Sequence, residues 1–263
     1  MSSATYAVRD STTMLRRNLR RMQRYPSMTL MLIGMPVVLL LLFVYVFGGT
    51  MGAGLGGVSG GRADYANYIT PGVLLITIAG VVQGTAISVA MDMTEGIIAR
   101  FRTMAIFRPA VLTGHVVGSM IQTLLALLVV TGVALLVGFR PTATPIEWLA
   151  ALGILAAITF AVIWFSVACG LVSKTVETAS NLPMPLILLP FLGSGFVPTD
   201  SMPAAVRWFA EYQPFTPVME TLRGLLLGTG IGNSAGLAIA WSVVITVACY
   251  LWARKLYNRD PSR

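Results

Sequence analysis

"YANYITPGVLLITIAGVVQGTAISVAM", residues 65–91, contains no Asp, Glu, Lys or Arg, and "DMTEGIIARFRTMAIFRP", residues 92–109, follows it with two acids and three arginines. The first stretch exceeds the roughly 20 apolar residues that a helix needs to cross a bilayer. The second would cost roughly 12–17 kcal/mol at the bilayer centre, at about 2.5–3.5 for each of Asp92, Glu95, Arg100, Arg102 and Arg108. The junction between them is therefore a membrane surface. Five further runs, 25–61, 109–139, 148–173, 178–199 and 224–253, lack the same four residue types. They predict six transmembrane helices near 28–47, 69–91, 112–137, 149–172, 180–197 and 235–253.

Composition agrees. Of 263 residues, 56% are hydrophobic and 11% charged, and the mean hydropathy is +0.79, whereas soluble domains carry about 25% charged residues. A transmembrane barrel would show alternating segments of roughly ten residues, and this pattern is absent. The expected fold is an all-α integral membrane protein. Six spans put both termini on one side, and that side holds all but four of the 18 basic residues; Arg62, Arg140, Arg207 and Arg223 fall on the other. The positive-inside rule then places both termini in the cytoplasm. The net charge of +8 reads as a topology signal and a pull toward anionic membrane lipid, with no nucleic-acid partner expected.

Residues 5–24 read as an interfacial amphipathic helix. Val8, Thr12, Leu15, Leu19 and Met22 step by three and four along one face, and arginines occupy the rest. Arg16-Arg17 precedes an apolar run too long for a secretory h-region, so a signal anchor is expected. Cys169 and Cys249 both fall within spans and suggest buried packing. A Gly52, Gly54, Gly57 match to G-x-G-x-x-G has no surrounding βαβ unit and carries no weight. The fifth span holds Pro183, Pro185, Pro190 and Pro198; each proline removes a donor, so a broken or kinked helix is expected, of the kind that can mark a transport path. "MPAAVRWFAEY" and "TPVMETLRGLLLG" suit two short amphipathic helices, the second pairing Glu220 with Arg223.

Enzyme chemistry finds little support. His115 is the sole histidine and reads as a satisfied interface residue. No P-loop lysine exists, since Lys174 follows Ser173 and Lys255 follows Arg254. No metal site is expected. Uphill transport by this chain would need energy from a partner. In residues 92–108, Asp92 suits a helix N-cap with Glu95 three residues on, while Ile97, Phe101 and Met104 share a face flanked by arginines. Such a helix rests on lipid headgroups or inserts into a partner's groove.

Two blocks carry a resemblance. "EGIIARFRTMAIFRPAVLTGH" (95–115) and "FLGSGFVPTDSMPAAVRWFAEYQPFTPVMETLRGLLLG" (191–228) resemble the type-2 ABC exporter permeases, in particular the daunorubicin-resistance branch. The likeness spans nearly the whole chain. It implies one permease domain over 1–263, with an interfacial helix at 1–27, a six-helix bundle at 28–253 and a cytoplasmic tail at 254–263. It also implies a homodimer, or a pairing with a similar permease, served by a separate ATPase subunit that binds ATP and magnesium; this chain would hold no cofactor. Asp92, Glu95, Gly96, Ile97, Arg100, Phe101, Arg102 and Arg108 would form a coupling helix docking into that subunit. The short helices around Glu220 and Arg223 would be external and re-entrant. Met104–Phe107 departs from the proline-containing turn common in relatives, which bears on where the coupling helix ends. Gln83, Thr85, Ser88, Gln122, Asn181 and Ser194 could line a path for an amphipathic drug, antibiotic or lipid. They could equally make interhelical hydrogen bonds, worth about 0.6 kcal/mol each. A partner-independent carrier or channel, or a non-transporting scaffold, are the alternative functions.

Overall fold

The structure, a computed structural model, describes residues 3–24, 26–50, 61–96, 110–197 and 199–258. In chain order the helices are α1 (Ser3–Arg24), α2 (Pro26–Leu42) continued by a π turn at Phe43–Phe47, α3 (Arg62–Thr94), α4 (Ala110–Val137), α5 (Pro145–Val172), α6 (Val176–Asn181), α7 (Met184–Leu188), α8 (Ala204–Tyr212), α9 (Phe215–Leu227) and α10 (Ser234–Tyr257). A 3-10 turn at Leu189–Leu192 follows α7. Every regular element among the described residues is helical.

Five helices are long and apolar enough to cross a membrane: Thr29–Thr50, α3, α4, α5 and α10. The spans expected near 28–47, 69–91, 112–137, 149–172 and 235–253 match these in place, though α3 starts seven residues earlier, at Arg62. The fifth expected span, 180–197, is not one continuous helix. Val176–Leu192 is a shorter apolar stretch, built from α6, α7 and the 3-10 turn. The breaks fall where Pro183, Pro185 and Pro190 withhold backbone donors. The broken or kinked helix expected at these prolines is thus found, and the long apolar helices among the described residues number five beside this interrupted segment.

Helix α3 is the axis of the bundle. Over its most apolar stretch 72% of residues are buried, against 17% for α10 at the periphery. It packs on α2, α4, α5, α6 and α9, and α10 leans on α5 and α9. The α3–α5 crossing is close because the facing residues are small. A side chain on Gly170 would lie 2.7 Å from the Ala86 carbonyl oxygen, and Ala86, Ala90, Cys169 and Ala179 are buried together. Cys169 and Cys249 are both buried free thiols, in keeping with packing roles. Ser166 Oγ donates to the Val82 carbonyl across the same crossing.

Local chemistry fixes the helix ends. Thr144 and Glu147 form a capping box ahead of Pro145: Thr144 N–H donates to Glu147 Oε2 at 2.6 Å, and Glu147 N–H donates to Thr144 Oγ1 at 3.4 Å. Helix α9 stops at Gly228, whose φ of 72° is left-handed. At 33 residues, α3 is about 50 Å long, beyond the roughly 30 Å of a hydrocarbon core. Its two ends therefore lie at or outside the membrane surfaces.

Candidate functional site

Helix α1 lies against α4 where two glycines sit four residues apart. A Cβ on Gly114 would meet Met14 Cβ at 2.7 Å, and one on Gly118 would meet Asn18 Cβ at 3.3 Å. Met14 and Asn18 are buried. Of the stripe read from the sequence, Val8 is 68% exposed and Thr12 is exposed too, while Leu15, Leu19 and Met22 are half-buried, Leu15 beside Thr113 and Val117 of α4.

The packed face carries Arg17 and Arg21 to Asp92 in the last turn of α3. Arg17 Nη2 pairs with Asp92 Oδ2. Arg21 Nη1 stands 3.7 Å from Asp92 Oδ1 and donates to Ser88 Oγ at 3.2 Å. From α4, His115 Nε2 lies 2.9 Å from Asp92 Oδ2. Asp92 and His115 are each only 2% exposed. One carboxylate thus joins three helices, and burial of its charge is tolerable because it is paired and hydrogen-bonded. The N-cap role read for Asp92 is corrected: the residue lies inside α3, which continues to Thr94. The physical reason is that three cationic or donor groups meet it there, which an exposed loop cap would lack. His115 is the satisfied interface residue expected.

Glu95 caps the C-terminus of α3, its N–H donating to the Met91 carbonyl at 2.9 Å. Gly96 follows with φ +69°, a left-handed stop that favours glycine. Ile97, Arg100, Phe101, Arg102 and Arg108 lie outside the described residues, as do Met104–Phe107 and the Gly52, Gly54, Gly57 match.

Between α1, α2, α3 and α4 is a cavity of about 840 Å³. Thr85, Ser88 and Gln122 line it together with Asp92, Glu95, His115 and five arginines of α1. Thr85 Oγ1 shares a 2.7 Å hydrogen bond with Ser119 Oγ, and Gln122 Nε2 donates to Thr29 Oγ1 at 2.9 Å. These two residues therefore both line the space and tie helices together. Gln83, Asn181 and Ser194 do not join them. Gln83 Nε2 donates to Ser180 Oγ at 2.7 Å, fixing α3 to α6. Asn181 is exposed.

Ser194 belongs to a second cluster at the opposite end of α3. Its carbonyl accepts from Tyr68 Oη at 2.9 Å and from Arg223 Nη2 at 3.0 Å. Arg223 Nη1 donates to Glu220 Oε1 at 2.8 Å, the pairing expected from their spacing, and the guanidinium stacks over the Tyr68 ring at 4.2 Å. Helix α9, which carries both residues, is buried along Phe215, Val218, Met219, Leu222 and Leu226.

Arg17 and Arg21 escaped the sequence reading as named partners, being counted only among the basic face. The available signals were their i, i+4 spacing, which matches Ser88 and Asp92 on α3, and Gly114-His-Val-Val-Gly118, a small-residue face for helix approach.

Comparisons with known proteins agree with this architecture. The model of the family described as ABC-2 type transporter matches residues 10–227. The daunorubicin resistance ABC transporter permease protein DrrB1 of Streptomyces coeruleorubidus is 26% identical over 254 residues, covering 96% of this chain and 87% of that one. The probable doxorubicin resistance ABC transporter permease protein DrrC of Mycobacterium tuberculosis is 25% identical over 186 residues, covering 67% of this chain and 65% of that one. The long apolar helices and the family match converge: this chain belongs to the ABC-2 type transporter family and is a multi-pass membrane permease subunit of an ABC exporter.

Proposed function

We propose that this permease moves an amphipathic drug, antibiotic or lipid outward across a bacterial inner membrane. It works as a homodimer with separate ATPase subunits, which bind the ATP and magnesium and do the hydrolysis. The relatives are named for resistance to daunorubicin and doxorubicin, which supports an amphipathic cargo. The interrupted segment Val176–Leu192 serves as a span, giving six in all, with both termini in the cytoplasm in line with the arginine distribution. Helices α8 and α9, at nine and 13 residues, are too short to cross and act as external re-entrant helices.

The observation that carries the reading is the Arg17–Arg21–Asp92–His115 junction. It binds α1 to the end of α3 and the first turns of α4. A push from an ATPase on residues 97–109, which follow α3 in the chain, and on α1 is transmitted through a buried charge to two spans at once. Glu95 and Arg102 then contact the ATPase. The test is co-expression with an ABC ATPase and assay of ATP-dependent drug efflux from vesicles. Glu95→Arg and Arg102→Glu are expected to insert normally and abolish efflux. Variants that kept full substrate-stimulated ATPase activity would remove the coupling assignment, and transport without ATP or partner would replace the exporter mechanism.

A further inference from the structure

We propose that the cavity beside α1 binds the anionic headgroup of an amphiphile drawn from the leaflet in which α1 lies. Its charge is the first reason. Arg16, Arg17, Arg20, Arg21 and Arg24 line the space against two carboxylates, Asp92 and Glu95. Asp92 is already engaged by Arg17 and Arg21. Among the described residues no carboxylate pairs with Arg16, Arg20 or Arg24. These three sit at i, i+4 and i+8, so they share one helix face and repel one another. A bound anion relieves that repulsion, and planar guanidinium forks suit phosphate or carboxylate oxygens.

The shape is the second reason. A free phosphate needs a small fraction of about 840 Å³, a volume within the roughly 300–1,000 Å³ of sites for larger organic molecules. Behind the arginines Leu32, Gly80, Val81 and Gly84 give an uncharged, largely apolar wall, and the polar groups beside them are already spent on one another, Thr85 with Ser119 and Gln122 with Thr29. A Cβ on Gly84 would meet nothing within 4 Å, so this part of α3 faces open space. A head at the arginine rim and a tail along this wall fill both regions. The third reason is position. The exposed Arg16, Arg20 and Arg24 and the exposed Val8 of α1 suit a membrane interface, where lipid phosphates concentrate and basic side chains meet them. A cationic amphiphile would face the arginine excess with the buried carboxylate already occupied. This deepens the exporter reading, on which only the ligand's role as cargo rests; binding itself needs neither ATP nor a partner.

The test uses the full chain in a neutral maltoside detergent with three probes: dodecyl phosphate, dodecyltrimethylammonium and inorganic phosphate. Saturable, single-site binding of dodecyl phosphate is expected, followed by calorimetry. The Arg20→Gln/Arg24→Gln double variant, altered only at exposed side chains, is expected to weaken it about tenfold or more through lost charge-assisted hydrogen bonds. Gly84→Leu, which fills the open space, is expected to weaken it similarly while leaving the thermal midpoint near the parent's. Equal affinity for dodecyltrimethylammonium overturns the proposal in the unaltered protein, before any variant is made. Inorganic phosphate binding as tightly as the amphiphile reduces the site to one for a plain anion and overturns it also. Undiminished binding in both variants moves the site elsewhere. Efflux that fails while dodecyl phosphate binding holds sinks the exporter reading and leaves this site standing; the reverse result sinks only the site.

Discussion

The two ends of α3 solve the problem of a charge near a membrane in opposite ways. Tyr68 and Asp92 are 24 residues apart in one helix, about 36 Å at 1.5 Å per residue. At the Asp92 end, one buried carboxylate gathers groups from α1 and α4, and its arginine partners are about a third exposed beside a large cavity. At the Tyr68 end, one guanidinium, 11% exposed, ties the carbonyls of Tyr68 and Ser194 to Glu220. The packing there leaves no slack: a Cβ on Gly72 would lie 3.0 Å from both the Cα and the carbonyl oxygen of Gly195. The lesson is that hydrogen-bonding to fixed backbone with close packing makes a static clamp. Side-chain charge pairs around empty space make a joint whose members can separate, because water can take over the arginines when they do.

The most damaging change expected is Asp92→Ala, which strips the shared acceptor from Arg17, Arg21 and His115. Removing one partner of a buried pair costs about 3–5 kcal/mol, and the partial exposure of the arginines places this case near 3. Unfolding by sodium dodecyl sulfate in mixed micelles reads the loss, and cysteine cross-links between α1 and α4 report whether α1 detaches. A loss below about 1 kcal/mol would mean that the joint is held by the Gly114–Met14 contact rather than by charge.

Arg223→Lys tests the clamp. Lysine keeps the charge but lacks the planar fork, so it cannot serve Glu220, Tyr68 and Ser194 together, and a buried carbonyl is left short of a donor. The expected cost is about 2 kcal/mol by the same titration, with the α1–α4 cross-links unchanged. Cross-links that did change would show that the two ends move as one body and that the contrast between them is false.

Much of this was legible in the sequence because lipid is an unforgiving solvent. Charge-free runs located five long helices to within a few residues at most ends, and the Glu220–Arg223 spacing read correctly. What failed, failed at boundaries. Asp92 stands one residue beyond a charge-free run, where a loop cap and a buried partner look alike; the choice depends on Arg17, 75 positions away. The break after Asn181, by contrast, was legible, because Pro183, Pro185 and Pro190 withhold donors inside an otherwise apolar stretch. The stripe on α1 divides: Leu15, Leu19 and Met22 are half-buried while Val8 and Thr12 are exposed, since an amphipathic helix at a surface has two apolar environments to choose between. Of the six polar residues considered for a path, composition could not separate the three that line the cavity from Gln83, whose partner Ser180 closes a contact to α6.

The smallest expected effect separates the two ends most cleanly. Arg21 lies 3.7 Å from Asp92 Oδ1, and its side chain is 30% exposed. Arg21→Gln should therefore cost less than about 1 kcal/mol at 0.1 M salt. Raising salt to 1 M shortens the screening length from about 10 Å to about 3 Å, so the cost should shrink toward zero. The cost of Arg223→Lys should hold steady over the same range, because a hydrogen bond to a buried carbonyl is geometric and water does not reach it. If both costs fell together, the Tyr68 end would be as open to ions as the Asp92 end. If neither fell, the arginines of α1 would be sealed from solvent, and α1 would be a fixed strut instead of a joint.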